Sequence, residues 1–271
     1  MIPLRDNIPA RTFPFMNYAM IGICSLVFVA QLSGVSEDET LVEQYGMIPV
    51  RVLHPNQTIV VAVERPVDTP RGVELVQEEH TVPLAAVPAW LTMMTCIFLH
   101  GGWMHFLGNM WFLHIFGDNV EDRLGHVGYL IFYVAAGVLA SAAHLATDPT
   151  SAIPTIGASG AIAGVMGAYS CLYPHARVLA IVPIVIIVQM FVLPAWVFLA
   201  VWFVFQLYQG VFSIGAVEAA GVAWWAHIGG FVSGVIVAFV LNKIHYLRPE
   251  VDEIRPHTDH VGAYRVYPRR H

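Results

Sequence analysis

Charge is scarce in this chain. Only 12% of its 271 residues are Asp, Glu, Lys or Arg, where a soluble domain carries about a quarter, so water is not its main solvent. Cysteine is scarce as well. Cys24, Cys96 and Cys171 lie far apart in apolar or near-apolar surroundings, which excludes a paired disulfide framework and a thiolate metal site and leaves three small buried hydrophobes. No His-Glu-x-x-His motif occurs, which removes the metalloprotease reading; no metal, no cofactor and no nucleic-acid partner is expected. A cleavable leader is not expected either, because the first apolar run, Phe13 to Leu32, is long and has no small-residue cleavage site at its end.

Apolar residues are what the chain has: 57% of the total, with mean hydropathy +0.64. A membrane helix needs about 20 of them in a row. Six runs meet or approach that, at about 14–34, 103–121, 126–146, 156–173, 194–212 and 222–245. The fold class expected is therefore an all-α polytopic membrane protein with six spans and the lipid bilayer as its surroundings. The fourth run is short, bounded by Pro154 and Pro174 and rich in Gly and Ala. Small residues let helices approach closely in lipid, which makes it the central helix. The uncharged stretch between Arg177 and Gly210 is too long for one span and is broken by Pro183 and Pro194. It predicts an interfacial or re-entrant segment followed by a fifth span from about Pro194.

Three parts follow: an N-terminus over 1–13, a six-span domain over 14–247 and a polar tail over 248–271. The first loop, about 35–102, is long. Its middle is polar and Pro-punctuated, with β-branched pieces such as Thr58–Val63. Its end, Pro88 to Gly102, is apolar but short, and is expected to lie in the interface with Trp90 and Trp103 as anchors. Lys and Arg set the orientation. With the N-terminus inside, the inner segments hold Arg5, Arg11, Arg123, Arg177, Lys243 and the basic tail, and the outer ones only Arg51, Arg65 and Arg71. Both termini are then cytoplasmic, and spans two, four and six all run from outside to inside.

Polar residues inside a bilayer are costly and are functional candidates by default. His105 and Asn109 open span two, Ser159 opens span four and His227 opens span six. Each lies within about six residues of its helix start, less than about 10 Å deep at 1.5 Å per residue, so all four share one outer layer. Each has a structural reading: a serine that bonds its own turn or serves close packing, a His or Asn that ties two helices. Their convergence favours chemistry. A serine hydroxyl needs a base to take its proton, and histidine suits that task near neutral pH. A tetrahedral intermediate needs fixed donors for its oxyanion; His105 and Asn109, four apart on one helix face, and the Ser159 backbone N–H are the candidates. No carboxylate lies at this depth, so a dyad is expected rather than a triad. Asp118 and Asp122 sit at the inner end of span two without partners at that depth, against an aspartyl protease. Gly230 and Gly234 would let span six pack on span four. His100 is expected to be solvated at the interface, and His114, His144 and His175 lie apart from the chemistry.

These residues resemble the rhomboid family of intramembrane serine proteases over about 88–245. The matching pieces are Phe98-Leu99-His100-Gly101-Gly102-Trp103-Met104-His105 with Asn109, Phe116-Gly117-Asp118-Asn119-Val120-Glu121-Asp122, Gly157-Ala158-Ser159-Gly160, Pro194-Ala195-Trp196, and Ala226-His227-Ile228-Gly229-Gly230 with Gly234. The resemblance implies a six-helix fold open to the extracytoplasmic side, Ser159 as nucleophile, His227 as base, and His105 and Asn109 as oxyanion side chains. It implies no cofactor, and single-span membrane proteins, cut near their outer ends, as substrates. The insertion near 50–80 is absent from the smallest family members, and the Trp-Arg pair that some carry stands here as Leu91-Thr92. The alternatives are an inactive rhomboid-like protein that binds membrane helices, and a transporter with a His/Asn proton path, against which no matched pair of broken helices is visible. A lid is expected over 214–224, with Gly215 and Gly221. The short N-terminus, without a transit segment, points to a prokaryotic cell membrane. The sequence leaves oligomeric state and natural substrate open.

Overall fold

The computed structural model describes residues 1–33, 41–69, 72–184, 187–213, 222–249, 257–258 and 264–265. Strand β1 (Ile2–Arg5) leads to helix α1 (Phe15–Leu32). The first loop holds two single-turn helices, α2 (Leu41–Tyr45) and α3 (Pro49–Leu53), and the hairpin β2 (Val60–Thr69) and β3 (Gly72–Thr81). It ends in a chain of short turns: a 3-10 turn over Ala89–Leu91, α4 (Thr92–Thr95) and a second 3-10 turn over Cys96–Phe98. Then come α5 (Trp103–Leu124), α6 (His126–Thr147), α7 (Ser159–Leu172), β4 (Arg177–Ile184), β5 (Ile187–Pro194), α8 (Ala195–Ser213) and α9 (Trp224–Lys243).

Among the described residues, four helices, α1, α6, α8 and α9, are long and apolar enough to cross a membrane. Helix α5 matches them in length but carries Asp118, Glu121, Asp122 and Arg123 in its last two turns. Helix α7 has only 14 residues, about 21 Å at 1.5 Å per residue against a hydrocarbon core of about 30 Å. It manages because none of its residues is exposed: its neighbours face the lipid in its place.

Close packing around α7 comes from missing side chains. A Cβ on Gly230 would stand 2.1 Å from the Gly160 carbonyl oxygen, and one on Gly234 1.9 Å from that of Gly164. Helices α7 and α9 therefore touch backbone to backbone, as the Gly pattern predicts. On the other flank a Cβ on Gly164 would meet Ala136 of α6 at 2.6 Å.

The acidic end of α5 anchors the N-terminal segment. Glu121 accepts hydrogen bonds from the backbone N–H of Met16 at 2.9 Å and Asn17 at 2.7 Å, capping two of the amides left open at the start of α1. Asp122 accepts from the Thr12 N–H at 3.1 Å and the Thr12 hydroxyl at 2.5 Å. The expectation that Asp122 stands without partners is corrected: besides backbone and hydroxyl donors, the Arg11 guanidinium lies 3.9 Å from its carboxylate. Asp6 accepts from Asn119 Nδ2 at 2.9 Å and from the Tyr169 hydroxyl, and burial pushes its carboxyl up from 3.8 to about 6.

Two β features stand beside the helices. Segment 177–194, expected as interfacial or re-entrant, is an antiparallel hairpin with Arg177 opposite Pro194, extended by β1 through Ile2 opposite Ile181. Its Ile/Val content suits a strand, and its prolines bar a helix, so pairing satisfies the backbone. The 50–80 insertion forms the β2–β3 hairpin, with Val60 opposite Thr81. The loop is pinned by Arg51, 2% exposed, whose guanidinium donates to the carbonyls of Glu43, Gly46 and Pro83 at 2.7–3.1 Å. The expected lid lies, for residues 214–221, outside the described residues, as does most of the tail.

Candidate active site

Ser159 is the first residue of α7 and His227 the fourth of α9, so the α7–α9 contact brings their side chains together. Ser159 Oγ lies 2.7 Å from His227 Nε2. His227 Nδ1 lies 2.7 Å from Gln206 Oε1 on α8. The amide oxygen can only accept, so Nδ1 carries the proton; Nε2 is then the acceptor that faces the serine hydroxyl.

Both side chains open on a cavity of about 440 Å³, which His105, Asn109, Trp202 and Gln206 also line. Asn109 Nδ2 is buried with no acceptor among the described residues. A buried unpaired donor costs about 1–3 kcal/mol, and this one belongs to a residue that lines the cavity beside the serine. His105 Nδ1 accepts a 3.3 Å hydrogen bond from the Gly101 N–H, which leaves Nε2 protonated. That nitrogen borders Gly157, where a Cβ would stand 2.6 Å from it, and Gly157 has φ +125°. Glycine is thus required twice over just before the serine, once for its backbone and once for the imidazole. All four sequence-predicted residues, Ser159, His227, His105 and Asn109, line one cavity.

His100 is corrected. Expected to be solvated, it is 2% exposed, with its ring edge-on to Phe28, Phe106 and His105 at 5.3–6.3 Å. Gln31 holds its backbone by donating to the His100 carbonyl at 3.1 Å and accepting from its N–H at 3.0 Å. His144 borders a second, smaller cavity of about 220 Å³, which shares His105 with the first. Two residues escaped the sequence reading. Trp202 stands with its ring 6.0 Å from that of His227. Gln206 is 5% exposed, and its signal was available: a polar residue within an apolar run.

A bundle of apolar helices around polar side chains that share one cavity defines a multi-pass helical membrane protein. Residues 88–244 match the Rhomboid domain, more than half of the chain. The chain belongs to the rhomboid family. Among its relatives, Rhomboid-like protein 11, chloroplastic, of Arabidopsis thaliana is 31% identical over 58% of this chain and 54% of its own length. The Putative rhomboid protease YdcA of Bacillus subtilis is 34% identical over 30% of this chain and 40% of its own. Rhomboid protease GluP of the same organism is 30% identical over 59% of this chain and 27% of its own. The chain thus spans about half or less of the curated relatives it matches.

Proposed function

We propose that the protein is an intramembrane serine endopeptidase that cuts transmembrane segments near their extracytoplasmic end. The observation that carries this is the 2.7 Å Ser159–His227 contact in a cavity that also holds an unpaired amide donor on Asn109. As Ser159 Oγ attacks a peptide carbonyl, its proton passes to His227 Nε2. The carbonyl oxygen gains the negative charge, and Asn109 Nδ2 and His105 Nε2–H are the donors that receive it, with the backbone amide of Ser159 at the start of α7. Collapse of the intermediate leaves an acyl-serine and releases the amine, which takes the proton from His227. Water then repeats the sequence and frees the acid. No step calls on a metal or cofactor.

The Lys and Arg distribution supports an orientation with both termini in the cytoplasm and Ser159 in the outer half of the bilayer. Substrates are single-span membrane proteins that reach the cavity sideways through the lipid. Ser159→Ala in purified protein reconstituted into liposomes with a transmembrane reporter is the test. Cleavage by the wild type, none by the variant, and fluorophosphonate labelling of Ser159 alone are expected; a variant that still cuts overturns the assignment. A wild type that binds the reporter helix without cutting it would favour a non-proteolytic helix-binding role.

A further inference from the structure

We infer that Gln206 is the third, uncharged member of the catalytic array, a positioning residue that holds His227 in the one tautomer able to serve as base. This rests on the serine-protease reading above. Three observations carry it. Gln206 comes from α8, a third helix, so the contact is not a by-product of the α7–α9 packing that joins serine to histidine. Its Oε1 reaches His227 Nδ1 at 2.7 Å, on the opposite side of the ring from the 2.7 Å contact to Ser159. It is 5% exposed, in a helix whose other residues are almost all apolar.

A neutral imidazole has one N–H and one lone pair. If the proton sat on Nε2, the base would have nothing to offer Ser159 Oγ–H. A carbonyl acceptor at Nδ1 removes that choice before substrate arrives, and it also stops the ring from turning. In a soluble enzyme a carboxylate does this work. Below a membrane surface an unneutralised carboxylate is costly to bury, whereas an amide supplies the same acceptor with a far smaller desolvation penalty. Trp202, with its ring 6.0 Å from the imidazole, and Trp224, edge-on at 6.1 Å, bound the ring on two further sides. Among the described residues the amide has no competing contact that pulls it away: its Oε1 meets His227 alone.

The test compares Gln206→Leu, which keeps bulk and loses the acceptor, with the wild type. Rates are measured per folded, monodisperse enzyme on a transmembrane reporter in liposomes. Gln206→Leu is expected to lower kcat by about tenfold to a hundredfold, the scale of a misplaced reacting group, with KM nearly unchanged and fluorophosphonate labelling of Ser159 slowed in parallel. In the wild type, 15N-histidine NMR should report His227 protonated at Nδ1, and a mixture of tautomers in Gln206→Leu. Gln206→Leu with wild-type kcat, or a wild-type His227 protonated at Nε2, overturns the proposal. A wild-type enzyme that neither cuts nor takes the fluorophosphonate overturns instead the reading beneath it, and the NMR tautomer tells the two failures apart. Should Gln206→Leu fail to fold, Gln206→Met and the wild-type spectrum decide.

Discussion

Asn109 separates activity from stability at a single side chain. Its Nδ2 is buried without an acceptor among the described residues, so removing it takes away an uncompensated desolvation rather than a bond. Asn109→Ala is expected to leave thermal unfolding unchanged or slightly raised while kcat falls by about 10²–10³, or about 2.7–4 kcal/mol of transition-state stabilisation. Loss of stability together with activity would assign Asn109 to helix packing instead. Asp6 makes a prediction of the opposite kind. Its folded pKa of about 6 lies above its ordinary 3.8, so between those values the folded chain holds a proton that the unfolded chain has released. Stability from this group therefore falls as pH rises from about 4 to 6, by up to about 3 kcal/mol for a two-unit shift. Asp6→Asn should raise the unfolding temperature at neutral pH and lose that advantage at pH 4, measured by thermal melts in detergent. The four predicted site residues were legible because each is a polar residue just inside the start of an apolar run. Gln206 carries the same signal, but toward the far end of α8, and a reading that looks only at helix starts passes over it. Nothing short of three dimensions reveals that His100 is buried, because its Gly-rich surroundings read as a surface turn.

At the scale of the element, the joint between α7 and α9 governs the site. Gly234 leaves no room for a methyl group against the Gly164 carbonyl oxygen, 1.9 Å from an added Cβ. That obstacle is backbone, which cannot rotate aside. Gly234→Ala is expected to push the two helices apart, cost about 1–3 kcal/mol as overpacking does, and abolish labelling of Ser159 before the protein unfolds. Full labelling at an unchanged unfolding temperature would mean that the joint is looser than its geometry. The small-residue pattern made this contact readable from sequence, as did the helix limits: the run expected from about 194 begins at Ala195. The β4–β5 hairpin was less readable. Ile and Val at such density suit a membrane helix and a strand alike, and only Pro183 and Pro194, with β1 arriving to pair, decide the matter.

For the whole molecule, the orientation argued from Lys and Arg has a direct check. A cysteine placed in the β2–β3 hairpin of a variant lacking Cys24, Cys96 and Cys171 should react with an impermeant maleimide added to intact cells. One placed beside Arg248 should react only after lysis. The reverse pattern would turn the molecule over and move Ser159 to the cytoplasmic half.

The brevity of α7 carries a last consequence. A 14-residue helix with no exposed residue is shielded from the acyl chains by its neighbours, so thickening or thinning the bilayer tilts the outer helices while the serine keeps its depth relative to the enzyme. A substrate helix enjoys no such shelter. Its scissile bond rides up or down with the surrounding lipid, so a change of acyl length should shift where a reporter is cut more than how fast the enzyme works.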